Sequence, residues 1–154
     1  MTNQPKQHII ENNMKILLFL LMLGPLHAKA DELYCLAQNV YFEARSESLA
    51  GKYAVSDVVL NRVRSSRFPN TVCKVVHYKC HFSWYCDGKS DNPVASSAAW
   101  KDSVMVARKM LFQKNFLGIT EGATHYHATY VYPSWASKLR PKGQIGNHIF
   151  YEEK

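Results

Sequence analysis

"ATHYHATYVY", residues 123–132, is the stretch on which the fold class turns. Upstream of it, apolar residues recur at helical spacing. Within it, side chains alternate and are β-branched or aromatic, which predicts a strand. "NHIFYE", residues 147–152, has the same character and predicts a second strand. Helices come first and strands last, so the chain reads as an α+β domain: a mainly helical lobe followed by a small β lobe.

Working back from that stretch, the helical part divides into segments. Leu33, Leu36, Ala37, Val40 and Ala44 share one helical face and predict a helix from Asp31 to about Ser46. Ser46 to Gly51 is a break. A second helix is predicted over Leu49–Arg64, with Val55, Val58, Val59 and Val63 on one side. "RFPN" (Arg67 to Asn70) is a turn, after which Thr71 can cap a short helix through Tyr78. "CHFSWYCDGKSDNP" (Cys80 to Pro93) combines turn formers with aromatics. Loops of this length are usually functional or disordered, and the aromatics argue against disorder. A third helix is predicted from about Ser96 to Lys114, with Trp100, Val104, Ala107 and Leu111 in register.

The chain has 154 residues, 47% hydrophobic and 12% aromatic, which suits one globular domain and excludes a disordered class. Its N-terminus does not belong to that domain. Lys15 precedes the apolar run "ILLFLLML" (Ile16 to Leu23), and Ala28-Lys29-Ala30 follows as a small-x-small cleavage site. Residues 1–30 are expected to be a signal peptide whose true start is Met14, leaving 31–154 as a secreted or periplasmic domain. An uncleaved segment would instead tether the protein, but the run is short for a membrane span. No stable membrane insertion is therefore expected after cleavage. Removing residues 1–30 takes away three Lys and one Glu, and the net charge falls from +7 to +5. A basic exported domain prefers anionic partners, whether cell-wall polymers, membrane surfaces or nucleic acid, or its charge only aids solubility.

Four cysteines remain: Cys35, Cys73, Cys80 and Cys86. An even count after a signal peptide predicts two disulfides. Three connectivities are open. Cys80 and Cys86 flank the aromatic loop and are expected to pair, which leaves Cys35 with Cys73. The competing four-cysteine zinc site would normally show a C-x-x-C, and none is present.

The candidate chemistry starts at Glu43, in "NVYFEARSE" (Asn39 to Glu47). Glu43 is seven residues after Leu36 and three after Val40, so it shares their apolar face. Desolvation there would raise its pKa and suit it to general acid work. The alternative is an edge Glu paired with Arg45, Arg62 or Arg64. Glu47 would share that face if the helix continued, giving paired carboxylates. If "SESLAG" breaks the helix, Glu47 supports the N-terminus of the next one instead. In "HYH", His125 and His127 face one way along a strand, and His148 could complete a metal set. The bland reading makes them hydrogen-bonded groove walls. Phe82, Trp84, Tyr85, Tyr126, Tyr130, Tyr132 and Trp135 suit sugar rings, nucleic-acid bases or a core. Signal peptide and disulfides together argue against nucleic acid. No Ser-His-Asp or Cys-His pattern stands out.

Four segments taken together resemble the SleB/CwlJ family of cell-wall hydrolases, in its secreted Gram-negative and phage form. They are "YFEARSESLAGKYAVSDVVLNRVRSSRFPNTVCKVV" (Tyr41 to Val76), "CHFSWYCDG" (Cys80 to Gly88), "ATHYHATYVYPSWA" (Ala123 to Ala136) and "IGNHIFY" (Ile145 to Tyr151). The resemblance covers nearly all of the expected mature chain, in order. It implies a lysozyme-like fold, similar to lytic transglycosylases and goose-type lysozyme. It also implies cleavage of the β-1,4 bond between N-acetylmuramic acid and N-acetylglucosamine in peptidoglycan by a monomer without metal or cofactor. The acid of the family's E-A-R-x-E segment falls on Glu43 and its second Glu on Glu47, in a supporting role. Where the family's aromatic loop usually reads C-Q-F-S-W, this chain has His81. His81, Phe82, Ser83, Trp84, His125, Tyr126 and His127 are expected to line the substrate groove. The implied chemistry is protonation of the glycosidic oxygen by Glu43 and closure of a 1,6-anhydro end by the C6 hydroxyl. A hydrolytic muramidase, a non-catalytic wall-binding module, and a zinc amidase built on His125, His127 and His148 are the competing readings.

Overall fold

In the computed structural model of the chain, residues 29–113 and 117–154 are described. The chain divides into a unit of residues 1–31 and a unit of residues 32–154. The expected signal peptide lies outside the described residues, apart from Lys29 and Ala30, which are helical. No described helix is long and apolar enough to cross a membrane.

The larger unit is mainly helical, with one small sheet. Helix α1 covers residues 32–44 of this unit and buries Leu36, Ala37, Val40 and Ala44, the spacing expected. Helix α2 (Leu49–Arg64) starts where the Ser48 hydroxyl accepts the Gly51 N–H at 3.3 Å. The N-cap is thus Ser48, directly after Glu47. Helix α2 is buried on more than the single side expected. Tyr53 and Val59 pack into the core shared with α1, while Ala54 and Val58 pack against Phe150 of the sheet. A helix between two partners needs an apolar residue on each side.

The buried polar groups of α2 hold the segment that leads into the sheet. Asp57 accepts from the Gly118 N–H at 2.9 Å, the Thr120 N–H at 3.1 Å and the Thr120 hydroxyl at 2.6 Å. Asn61 Nδ2 donates to the Ala123 carbonyl at 2.9 Å. Each of these buried groups has its partner, as burial requires. Helix α3 (Val72–Val76) has Thr71 as its N-cap, as expected. Glu32 of α1 adds a second acceptor there, taking the Val72 N–H at 2.6 Å. Both expected disulfides are present, Cys35–Cys73 joining α1 to α3 and Cys80–Cys86 closing the aromatic loop.

Helix α4 (Ala98–Arg108) is shorter than expected. It is capped by Ser97 and passes into a π turn over Lys109–Gln113, which keeps Met110 in the core. The sheet has three antiparallel strands in the order β1-β3-β2, namely β1 (His125–Ala128), β2 (Arg140–Ile145) and β3 (His148–Glu152). The first strand stops at Ala128, short of the alternating stretch, and Thr129–Tyr132 turn away. Strand β2, "RPKGQI", carries no sequence signal. It is an exposed edge strand with a register shift between Pro141 and Gly143, so it needs no apolar alternation.

Register decides what each face of the sheet carries. Tyr126 lies opposite Phe150 and Ala128 opposite His148, so these four share the face that meets the helices. His125 lies opposite Tyr151 and His127 opposite Ile149, so these four share the other face. Trp135 packs there, 5.5 Å from the His125 ring and 5.7 Å from that of His127.

Candidate active site

The last turn of α1, the aromatic loop and β1 converge on a cleft of about 570 Å³. Phe42, Glu43, Ser83, Trp84, Tyr126, His127 and His148 line it. Helix α1 presents Glu43 one turn above Val40, at the edge of the core. Tyr126 reaches across from the sheet, and its hydroxyl donates to Glu43 Oε2 at 2.9 Å. Burial raises the Glu43 carboxyl above its ordinary value; the Tyr126 hydrogen bond and the positive charge of Arg62 only partly offset that. Burial, and then the neighbouring Glu43, hold the Tyr126 phenol well above its ordinary value. Tyr126 is therefore a fixed donor.

The aromatic loop forms one wall. Trp84 stacks on Phe42 with ring centroids 4.8 Å apart, and its indole N–H donates to Asn39 Oδ1 at 3.1 Å. Two residues of α1 thus position the Trp84 ring, and the Cys80–Cys86 bridge closes the loop that carries it. The opposite wall contains His127. Its Nδ1 is 2.9 Å from the Ala128 carbonyl, which can only accept, so Nδ1 carries the proton. Nε2 then accepts from the Tyr151 hydroxyl at 3.0 Å. Tyr130 also lines the cleft and is 86% exposed, available for stacking.

The expected groove residues do not all meet. Glu43, Ser83, Trp84, Tyr126 and His127 come together in the cleft. Phe82 does not: it is 2% exposed and belongs to the core, where the Arg62 guanidinium lies 4.9 Å from its ring centroid. His81 and His125 line a separate pocket with Arg62, Tyr126 and Trp135. His148 lies on the sheet face opposite His125 and His127, so the three imidazoles do not converge as a ligand set. No group of three or more metal-ligating residues is present among the described residues.

Glu47 is also outside the cleft lining. Helix α1 ends at residue 44, so the two glutamates diverge instead of sharing a face. Both Glu47 oxygens accept from Asn147, one from its backbone N–H and one from Nδ2, each at 3.0 Å. Burial pushes Glu47 upward, but the two Asn147 hydrogen bonds, with the charge of His148, leave it below its ordinary value. Glu47 so ties the β2–β3 turn to the α1–α2 corner. Gly146 allows the approach: it has φ 58°, and a Cβ there would collide with Glu47 Oε2.

Several cleft residues were not legible in the sequence. Phe42 falls off the apolar stripe of α1, and His148 was read only as a possible ligand. Arg62 was one of three candidate partners for Glu43. It forms no ion pair with Glu43, although its charge acts on that carboxyl.

A family model described as "Cell Wall Hydrolase" matches residues 46–151, beginning three residues after Glu43. The spore cortex-lytic enzyme of Halalkalibacterium halodurans is 32% identical over 121 residues, covering 78% of this chain and 34% of that protein. That of Bacillus subtilis is 41% identical over 59 residues, covering 38% of this chain and 19% of that protein. The chain thus spans about a third or less of the length of these relatives. Among solved structures, the catalytic domain of the germination-specific lytic transglycosylase SleB from Bacillus anthracis matches with a TM-score of 0.63 at 30% identity. It covers 79% of this chain and 93% of that one. The catalytic domain of the Bacillus cereus SleB protein matches with a TM-score of 0.64 at 29% identity, covering 80% of this chain and 91% of that one.

Proposed function

As the chain belongs to the cell-wall hydrolase family of SleB-type enzymes, we propose that it cleaves the glycan strands of peptidoglycan, with Glu43 as general acid. The observation that carries this reading is a desolvated carboxyl in an aromatic-walled cleft, held by a phenol. The scissile bond is the β-1,4 linkage between N-acetylmuramic acid and N-acetylglucosamine. Tyr126 engages Oε2 and leaves the proton to the other oxygen, which delivers it to the glycosidic oxygen. Positive charge then develops at the sugar's anomeric carbon. The carboxylate formed keeps the Tyr126 hydrogen bond and feels the Arg62 charge, so the proton transfer is not penalised twice.

A second step needs an acceptor. Asp87, the other carboxylate lining the cleft, pairs with Lys89 at 3.4 Å, and Glu47 is taken up by Asn147. With no second unpaired carboxylate in the cleft among the described residues, the C6 hydroxyl of the same sugar attacks the anomeric carbon. Its proton goes to Glu43, and a 1,6-anhydro end forms. Water in place of that hydroxyl gives the muramidase alternative. The two disulfides fit an oxidising compartment, and the expected leader at residues 1–30 would take the protein there.

Mass spectrometry of digested sacculi tests the proposal. Anhydro ends are expected. Reducing ends would mean a muramidase, and binding of sacculi without cleavage would mean a wall-binding module.

A pH profile tests the Glu43–Tyr126 contact separately. The acid form is the active one, so activity should fall as pH rises through the raised Glu43 pKa. Tyr126→Phe removes the hydrogen bond that favours the carboxylate. The alkaline limb should then move to higher pH, with kcat changed by about tenfold or less, since the acid itself remains. A limb that stays or moves to lower pH would discard the assignment.

A further inference from the structure

Arg62 is 5% exposed, yet it has no ion pair with any carboxylate among the described residues. Its Nε donates to the Thr124 carbonyl at 2.7 Å, and its Nη1 has no hydrogen-bond partner. The guanidinium lies over the rings of Phe68 and Phe82, 5.2 and 4.9 Å from their centroids. Its charge acts on the Tyr126 phenol and on the Glu43 carboxyl, with neither of which it forms a hydrogen bond or ion pair. Buried charges are ordinarily paired, and this guanidinium has only the Thr124 carbonyl and two aromatic faces as direct partners, with Nη1 left over.

A pocket of about 380 Å³ opens beside the guanidinium, lined by Arg62, His81, His125, Tyr126 and Trp135. Tyr126 lines the catalytic cleft as well, so the pocket abuts it. His125 Nδ1 is 3.0 Å from the Thr124 hydroxyl, which leaves Nε2 for another partner. Glu153 Oε1 is 3.9 Å from that Nε2, too far for a hydrogen bond, and Arg67 engages the other Glu153 oxygen. Arg62 acts on both imidazoles, and Lys79 on His81; each ring is held below its ordinary value, first by burial. Two imidazoles and a guanidinium thus surround a space with Trp135 as an apolar wall. Each of the three can donate to a carboxylate placed in that space.

We propose that this second pocket binds a carboxylate carried by a substituent of the glycan strand. The source is either the lactyl group of a muramic residue or an acidic residue of its stem peptide. The glycan as carrier rests on the function proposed above; the carboxylate site itself does not. Occupation would favour strands that carry the acid over bare N-acetylglucosamine polymers.

NMR titration of the His81 and His125 imidazoles tests this directly, without any cleavage. N-acetylmuramic acid, N-acetylglucosamine and acetyl-alanyl-D-glutamate are the probes. A bound carboxylate favours imidazolium, so the His125 pKa should climb from about 4, saturably. N-acetylglucosamine should leave it unchanged. A shift by the sugar acid alone assigns the lactyl group, and one by the peptide alone assigns the stem. A shift by neither, or an equal one by N-acetylglucosamine, overturns the proposal. Arg62→Gln should weaken binding at least tenfold. If that variant does not fold, His81→Asp, on the exposed loop, places a repelling carboxylate in the pocket and should do the same. Unchanged binding in a folded variant would overturn the site. Sacculus digestion by the wild type is scored separately, so carboxylate binding and glycan cleavage can each fail alone.

Discussion

Glu43→Gln should fold and bind glycan but lose about 10²–10⁴-fold in activity, the share that general acid catalysis contributes. The substitution keeps size and shape and removes only the titratable proton. The Tyr126 hydroxyl can still donate to the amide oxygen, so the cleft wall is kept. Stability gives an independent check through its sign. In the folded chain the Glu43 pKa lies above its ordinary 4.5, because burial disfavours the charge. The folded state therefore binds a proton more tightly than the unfolded one. Wild-type stability falls as pH rises from about 4.5 through the raised value, by ~1.4 kcal/mol for each pKa unit. The Gln variant lacks that slope and should be at least as stable as wild type at neutral pH. Glu47→Gln should cost less activity, because Glu47 binds Asn147 outside the cleft lining. Turbidity loss of purified peptidoglycan, with urea melts across pH, separates the outcomes. A folded Glu43→Gln protein with near-normal activity would remove Glu43 from the mechanism.

The Cys35/Cys73 pair should dominate disulfide stability. It closes a loop of 38 residues, and Cys80–Cys86 one of 6. Chain-entropy scaling makes removal of the first cost about 4 kcal/mol and the second about 2 kcal/mol. The first also joins α1 to α3, so its loss frees the helix that presents Glu43. Removing the second should act more on KM than on stability, by loosening the loop that carries Trp84. Phe42 and Asn39 still hold that ring, which limits the effect. Paired Cys→Ala variants melted in urea test the order. Equal losses, or a larger loss for Cys80/Cys86, would show that native-state contacts outweigh loop closure.

Residues near one another in the chain were the legible ones. The start of α2 follows from "SESLAG", and Ser48 caps it; Thr71 caps α3 in the same way. The strands around His125–Ala128 and His148–Glu152 follow from alternation. Strand β2 was not legible, because an exposed edge strand is held by its ladder to β3 and buries no apolar face. The π turn after α4 has no signature of its own in "KMLFQ".

The candidate site was legible as a list and not as an arrangement. Glu43 on the Leu36–Val40 face was visible from helical spacing alone, and the Cys80–Cys86 pair was suggested by the loop they flank. Tyr126 read as a sugar wall, yet its hydroxyl meets a residue 83 positions earlier. Phe82 read as its neighbour Trp84 did, yet one is sealed in the core and the other stacks on Phe42 at the cleft. His148 read with His125 and His127, and the register puts it on the other face. By itself the sequence determined where the helices and the two alternating strands begin, that the four cysteines form two bridges, and which carboxyl sits on an apolar face. Caps, turns and periodicity act within a turn or two of the chain, so no distant partner is needed to read them. The tertiary structure alone decided what each side chain faces, including the phenol on Glu43 and the unpaired Arg62. Those contacts depend on which element packs opposite, and that is set by burial across the whole domain.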